Sequence, residues 1–114
     1  MTPTVLLLLA ALVEGASKAP AVPVRKIPVV AKKFTFTPSE IVVRKGQTVE
    51  VILTSADRVH GFELPELHVD VMVEPGKTTR VTLKPEKTGR FEFHCSVFCG
   101  SGHEEMVGAL VVSE

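Results

Sequence analysis

Apolar and polar residues alternate in short runs along most of the chain, and this pattern predicts β-strands. Runs that are apolar or alternate in this way lie at residues 29–36, 41–43, 49–53, 79–83, 90–94 and 107–112. Alternation with a period of two places one row of side chains in a core and the other row in water. Sustained helical periodicity is absent from the sequence, so the pattern indicates an all-β protein.

Turn residues separate these runs at regular intervals, for example at Pro38-Ser39, Lys45-Gly46 and Pro75-Gly76. About seven short antiparallel strands, with a turn roughly every eight to twelve residues, are typical of a two-sheet sandwich. The sequence therefore predicts a Greek-key β-sandwich. Its expected core consists of Ile41, Val43, Val49, Val51, Leu53, Val81, Leu83, Phe91, Phe93, Leu110 and Val112.

Composition and charge limit the classes of function. The 114 residues suffice for one compact domain, and 45% hydrophobic with 23% charged residues is a globular composition. Lysine and arginine number 13, as do aspartate and glutamate, so the formal net charge is zero. Because no overall positive field would attract nucleic acid, we expect no nucleic-acid partner.

The first residues predict export. The apolar run at residues 5–13 rises about 1.5 Å per residue as a helix and cannot cross a hydrocarbon core about 30 Å thick. With an Ala-Pro-Ala step at residues 19–21, it predicts a signal peptide over 1–21, a linker over 22–28 and a domain over 29–114. We expect a location in the periplasm or at the extracytoplasmic face of the membrane. Membrane association would occur only through a partner or an uncleaved N-terminus.

The segment before the last predicted strand concentrates metal-binding side chains. Cys95, Cys99, His103 and Met106 follow the spacing C-x3-C-x3-H-x2-M, and His60 offers a further imidazole upstream. Thiolate and thioether favour copper, and imidazole also suits copper. Zinc would accept two cysteines and two histidines, but a thioether is a poor zinc ligand. One disulfide between the cysteines is another alternative for an exported domain.

The second cysteine leaves the number of metal ions open. A mononuclear blue-copper site needs one cysteine, two histidines and a weak methionine, so that Cys99 would be surplus. Two thiolates in one loop can instead bridge a pair of copper ions. A copper protein of either kind could carry electrons, or act as a periplasmic copper carrier or assembly factor, whereas the disulfide alternative would be an adhesion or scaffold domain. No catalytic triad, phosphate loop or carboxylate pair suggests independent catalysis.

The cysteine-containing segment resembles the copper A domain of cytochrome c oxidase subunit II, a cupredoxin. Residues 57–67 (DRVHGFELPEL) and 73–76 (VEPG) contribute to the resemblance, which covers roughly residues 34–112. It implies two copper ions bound by His60, Cys95, Val97 through its backbone carbonyl, Cys99, His103 and Met106. The cysteines would bridge the ions, each histidine would bind one ion, and the thioether and the carbonyl would each complete one ion's donor set.

The same resemblance implies a function and partners. The protein would carry one electron at a time for a terminal oxidase or a related respiratory reductase, as a component like cytochrome c oxidase subunit II. A c-type cytochrome or another redox protein would be its electron donor, and the large subunit of an oxidase is a candidate partner.

Overall fold

The structure, a computed structural model, describes residues 23–114, which form nine β-strands. The strands are β1 (Val24–Lys32), β2 (Thr35–Thr37), β3 (Glu40–Arg44), β4 (Thr48–Ser55), β5 (His60–Leu64), β6 (Val69–Val73), β7 (Thr79–Leu83), β8 (Gly89–His94) and β9 (Val107–Ser113). Single 3-10 turns lie at Pro65–Leu67 and His103–Glu105. The all-β prediction is confirmed.

The strands form two sheets, in the orders β2-β1-β4-β7 and β3-β9-β8-β5-β6. After β2 the chain crosses to the second sheet, forms β3, and returns to the first sheet as β4. Two pairs are consequently parallel, β1 with β4 and β3 with β9. Antiparallel pairing throughout was therefore a wrong expectation, because a parallel pair needs a crossover connection that short-range turn signals do not reveal.

Alternate side chains of the two sheets meet in one core. The predicted core residues are buried except Val81 and Phe91, which are half-buried and pack against its edge. Residues outside the predicted set complete the core, among them Val29, Phe36 and Leu64. Their burial follows from the sandwich arrangement, in which each strand of both sheets turns one face inward.

Three phenylalanines lie beneath the end of the sandwich that carries the candidate ligands. The ring centroid of Phe36 lies 5.8 Å from that of Phe62 and 5.3 Å from that of Phe93, both edge to face. Phe62 follows His60 by two residues, and Phe93 precedes Cys95 by two. The aromatic contacts therefore join the two strands from which the candidate ligands extend.

Several boundaries differ from the sequence-based expectation. The apolar run at residues 29–36 is broken by a turn at 33–34, which separates β1 from β2. Residues 24–28, expected in a linker, lie in β1 and pair with β4, because β4 offers them a free edge. The predicted signal peptide lies outside the described residues. Within the described part of the chain, no helix has the length and apolar character needed to span a membrane.

Candidate metal centre

Two segments at one end of the second sheet bring the candidate ligands together. The cysteine loop, residues 95–106, joins β8 to β9, and the His60 arm, residues 56–60, joins β4 to β5. The Cys95 amide donates to the Met106 carbonyl at 3.1 Å and closes the base of the cysteine loop. Because β5 and β8 are neighbours in the sheet, the end of the arm faces the start of the loop.

The six residues predicted from the sequence lie around one pair of sulfur atoms. Cys95 Sγ and Cys99 Sγ are 3.8 Å apart. His60 Nδ1 lies 3.8 Å from the first sulfur, and His103 Nδ1 lies 3.7 Å from the second. Each sulfur also has one of the remaining two candidate donors close to it. The Val97 carbonyl oxygen is 3.0 Å from Cys95 Sγ, and the Met106 sulfur is 3.8 Å from Cys99 Sγ.

The sulfur–sulfur distance also bears on the disulfide alternative. A disulfide has a sulfur–sulfur distance of about 2.05 Å, and both cysteines are free in the structure. The nitrogen of His60 and the two sulfurs lie within 4.8 Å of one another, close enough to share a metal ion.

Most of the cluster is shielded from water. Cys95 is 2% exposed, and His60, Cys99 and Met106 are 0% exposed. His103 is half-buried, and beside it lies the exposed ring of Phe98, with 5.5 Å between the ring centroids. The cluster therefore has one side that another molecule can approach.

Two acidic groups near the cluster have displaced pKa values. Burial, together with the hydrogen bond and charge of Cys95, raises the pKa of the Cys99 thiol from 9.0 to about 11. Partial desolvation of Asp57 favours its neutral form, but hydrogen bonds from the Lys33 amide, His60 and the Arg58 amide prevail and lower its pKa from 3.8 to about 2. A thiol so shifted holds its proton in neutral water until a cation replaces it, whereas Asp57 stays ionised.

Asp57 orients His60, a role that the sequence analysis missed. Its Oδ1 lies 2.7 Å from Nε2 of His60, so that Nδ1 of the same ring points to Cys95. A carboxylate on one ring nitrogen fixes the tautomer that leaves the other nitrogen free for a metal. The D-x-x-H spacing was a signal for this contact, although a weak one alone.

Gly61 brings the two segments into close contact. Its amide donates to Cys95 Sγ at 3.5 Å. A Cβ atom on this residue would collide with the Ser96 hydroxyl and lie 3.0 Å from the Val97 amide. Glycine therefore allows β5 to approach the cysteine loop closely enough for the arm and the loop to share one site.

The donors fit copper better than other common metals. Two thiols, two imidazoles and a thioether form a soft donor set, and hard cations prefer carboxylate or water oxygens instead. Because the sulfurs are buried, the two thiols give up their protons when a cation binds, and not by exposure to solvent. The cluster is consistent with a dinuclear copper centre, and the role of each residue as a ligand stays a prediction.

Fold and cluster together define a β-sandwich protein with a soft-donor centre built on a cysteine loop and one upstream histidine. The chain belongs to the cupredoxin-like family, since the family model described as "Cupredoxin-like domain" matches residues 4–112.

Known relatives agree with that membership. The chain is 34% identical over 86 residues to cytochrome c oxidase subunit 2 of Thermus thermophilus, covering 75% of this chain and 64% of the relative. It is 36% identical over 81 residues to nitrous-oxide reductase of Cupriavidus necator, covering 68% of this chain and 13% of that enzyme. The chain thus spans less than two thirds of the length of either relative.

A solved structure shares this fold over most of the chain. The periplasmic domain of subunit II of cytochrome oxidase from Bradyrhizobium japonicum has a TM-score of 0.74 and 27% identity to this chain. The match covers 82% of this chain and 88% of that domain. The predicted resemblance to oxidase subunit II is confirmed.

Proposed function

We propose that this chain is an exported electron-transfer domain that holds two copper ions in a copper A centre. The observation that carries the proposal is that Cys95 and Cys99, with sulfurs 3.8 Å apart, each have their own imidazole nitrogen within 3.8 Å. Two ions that share both thiolates and bind one histidine each need two thiolates and two imidazoles in one cluster, and these residues supply them. A single blue-copper ion needs only one thiolate and would leave the other thiol without a role.

In this proposal Cys95 and Cys99 would hold both copper ions, while His60 and His103 would hold one ion each. The Met106 thioether would complete the donor set of one ion, and the Val97 carbonyl that of the other. When bound, the copper pair supplies a reversible one-electron carrier. The residues of the chain exclude water from the sulfurs and hold the donors in place, so that the site changes little when its charge changes.

The proposed electron-transfer function also implies partners and a location. A c-type cytochrome or another redox protein delivers electrons at the half-buried side, where His103 lies beside Phe98. A terminal oxidase or a related respiratory reductase receives them, and the large subunit of an oxidase is the candidate partner. The names of the relatives, an oxidase subunit and a reductase, support this setting. The periplasmic origin of the structural neighbour supports export, with residues 1–21 as a signal peptide.

The proposal is tested by comparing copper content with electron uptake. The reduced domain is loaded with copper, the ions per chain are counted, and the loaded protein is titrated with a one-electron reductant. We expect two copper ions per chain and one electron taken up reversibly per chain. One ion with one electron would instead favour the blue-copper alternative, and a chain without copper would contradict both.

The copper-carrier alternative makes a different prediction about exchange. A delivery site should release copper readily, whereas the buried sulfurs and imidazole of this site favour tight retention. Incubation with a copper chelator distinguishes the two functions. Release within minutes, without reversible reduction, would favour a carrier or an assembly factor.

A further inference from the structure

The turn between β1 and β2 contacts both segments of the candidate centre, although it contributes no donor atom. This turn, residues 33–34, lies more than 60 positions before the cysteine loop. Its backbone is bonded to the His60 arm, and its side chain packs on the cysteine loop. Together these contacts connect the two halves of the site.

The contact with the His60 arm runs through one carboxylate. Asp57 Oδ2 accepts a hydrogen bond from the Lys33 amide at 2.8 Å, while Oδ1 lies 2.7 Å from His60 Nε2. A second bond, from the Ala56 amide to the Ala31 carbonyl at 2.9 Å, fixes the start of the arm to the end of β1. The position of the His60 ring is therefore tied to the turn.

The contact with the cysteine loop is made by the ring of Phe34. A Cβ atom built on Gly102 would lie 2.5 Å from this ring, and one built on Gly100 would lie 3.0 Å from it. The ring therefore rests directly on the backbone of both glycines. The Gly100 carbonyl accepts the His103 amide at 3.1 Å, so that the ring supports the backbone that leads into His103.

We infer that the β1–β2 turn is a clamp that fixes the distance between the two histidines, with Phe34 as a positioning residue on the His103 side. This inference rests on the proposed function, in which each histidine binds one ion. Asp57 performs the corresponding task on the His60 side. The turn packs on the backbone of Gly100 and Gly102 and is bonded through Asp57 to Nε2 of His60. Because none of these contacts involves a candidate donor atom, the turn restrains the site without competing for the metal.

Two variants test the clamp. Phe34→Ala removes the ring, and Phe91→Ala removes a half-buried ring of the same kind from β8, about 13 Å along the strand from Cys95. In the copper-loaded protein we expect Phe34→Ala to speed the release of copper to a chelator about tenfold, with altered copper hyperfine splitting. Phe91→Ala should leave the release rate and the splitting unchanged.

Amide hydrogen exchange in the metal-free protein tests this inference separately from the proposed function. In the metal-free protein, Phe34→Ala should speed amide hydrogen exchange at His103 about tenfold, and Phe91→Ala should not. If the parent protein binds fewer than two copper ions, the proposed function fails, and the exchange rates still test the clamp. If the parent binds two ions and the two variants behave alike, only the clamp fails. Should Phe34→Ala not fold, Phe34→Leu replaces it, with the same direction and a smaller effect.

A compensating pair gives the sharpest test. Gly102 has φ −96° and ψ 13°, which alanine can adopt, so its only obstacle to a Cβ atom among these contacts is the Phe34 ring. Gly102→Ala alone should therefore speed copper release and His103 amide exchange. In the Phe34→Ala background the same substitution should add little, because the ring is gone. Independent effects of the two substitutions, multiplying in the double variant, would overturn the clamp.

Discussion

The cysteine loop and the His60 arm contribute candidate donors to the same cluster in different ways. The loop provides five of the six candidate donors within residues 95–106, at spacings fixed by the local chain. The arm provides only His60, which reaches the loop because β5 and β8 are neighbours in the sheet. Five donors thus depend on local sequence, whereas the sixth depends on the whole fold.

The two segments also differ in the contacts that hold them in place. The base of the loop is closed by its own bond from the Cys95 amide to the Met106 carbonyl, and Phe34 packs on the loop from outside. The His60 ring is held by Asp57, which is in turn bonded to the β1–β2 turn. We therefore expect loss of a cysteine in the loop to change the number of ions, and substitutions in the arm to change how firmly one ion is held.

The largest effect should come from Cys99→Ser. A hydroxyl cannot replace a bridging thiolate, so the variant should hold at most one copper ion per chain. It should also lose the electron-spin resonance signal of an unpaired electron shared by two copper nuclei. Metal analysis and electron-spin resonance measure the change, with the exposed Ser101→Ala in the same loop as control. Two ions per chain in the Cys99→Ser variant would refute the bridging role.

Removing the arm's donor should have the next largest effect. His60→Ala leaves the loop intact but deletes a buried imidazole, so we expect copper retention against a chelator to fall at least about a hundredfold. His68→Ala, at an exposed histidine in the connection between β5 and β6, is the matched control. Equal retention in the two variants would mean that the loop alone forms the site.

Asp57→Asn should weaken the arm without removing its donor. Loss of an outer carboxylate on a ligand histidine costs about ten- to a hundredfold in metal affinity. The metal-free protein gives a second measurement. Because the pKa of Asp57 is lowered from 3.8 to about 2, the stability it contributes is present above its unfolded value and is lost as the pH falls towards 2.

Acid unfolding of the metal-free protein therefore checks Asp57 directly. Between about pH 5 and pH 2, the parent should lose about 1 kcal/mol more stability than Asp57→Asn, a figure reduced because the carboxylate is 33% exposed. Parallel acid-unfolding curves for the two proteins would show that the hydrogen bonds of Asp57 contribute nothing to folding.

Arg58→Gln should have the smallest effect. The guanidinium lies 3.4 Å from the Phe98 carbonyl, next to Cys99, and its positive charge favours the reduced centre. We expect the reduction potential to fall by about 10–40 mV at low salt, and less at high salt, because the side chain is exposed. Arg80→Gln, at an exposed arginine on β7, is the control. A rise in the reduction potential of Arg58→Gln would contradict this prediction.

The sequence indicated well which candidate donors lie together, and poorly which residues support them. The spacing from Cys95 to Met106 lies within one loop, so that local pattern and donor chemistry were enough to predict which side chains meet. The contacts of Phe34 with Gly100 and Gly102 join residues that are distant in sequence, and an aromatic residue in an apolar run does not indicate which residues it will contact. Parallel pairing of β1 with β4 was missed for the same reason, since it depends on the crossing between sheets.

Electron-spin resonance of the oxidised, copper-loaded protein tests the two-ion centre most directly. An unpaired electron shared by two copper nuclei gives more hyperfine lines than one nucleus can, with a smaller splitting between them. We predict this pattern at two copper ions per chain, and its loss in Cys99→Ser. A pattern from one copper nucleus, at one ion per chain, would contradict the account.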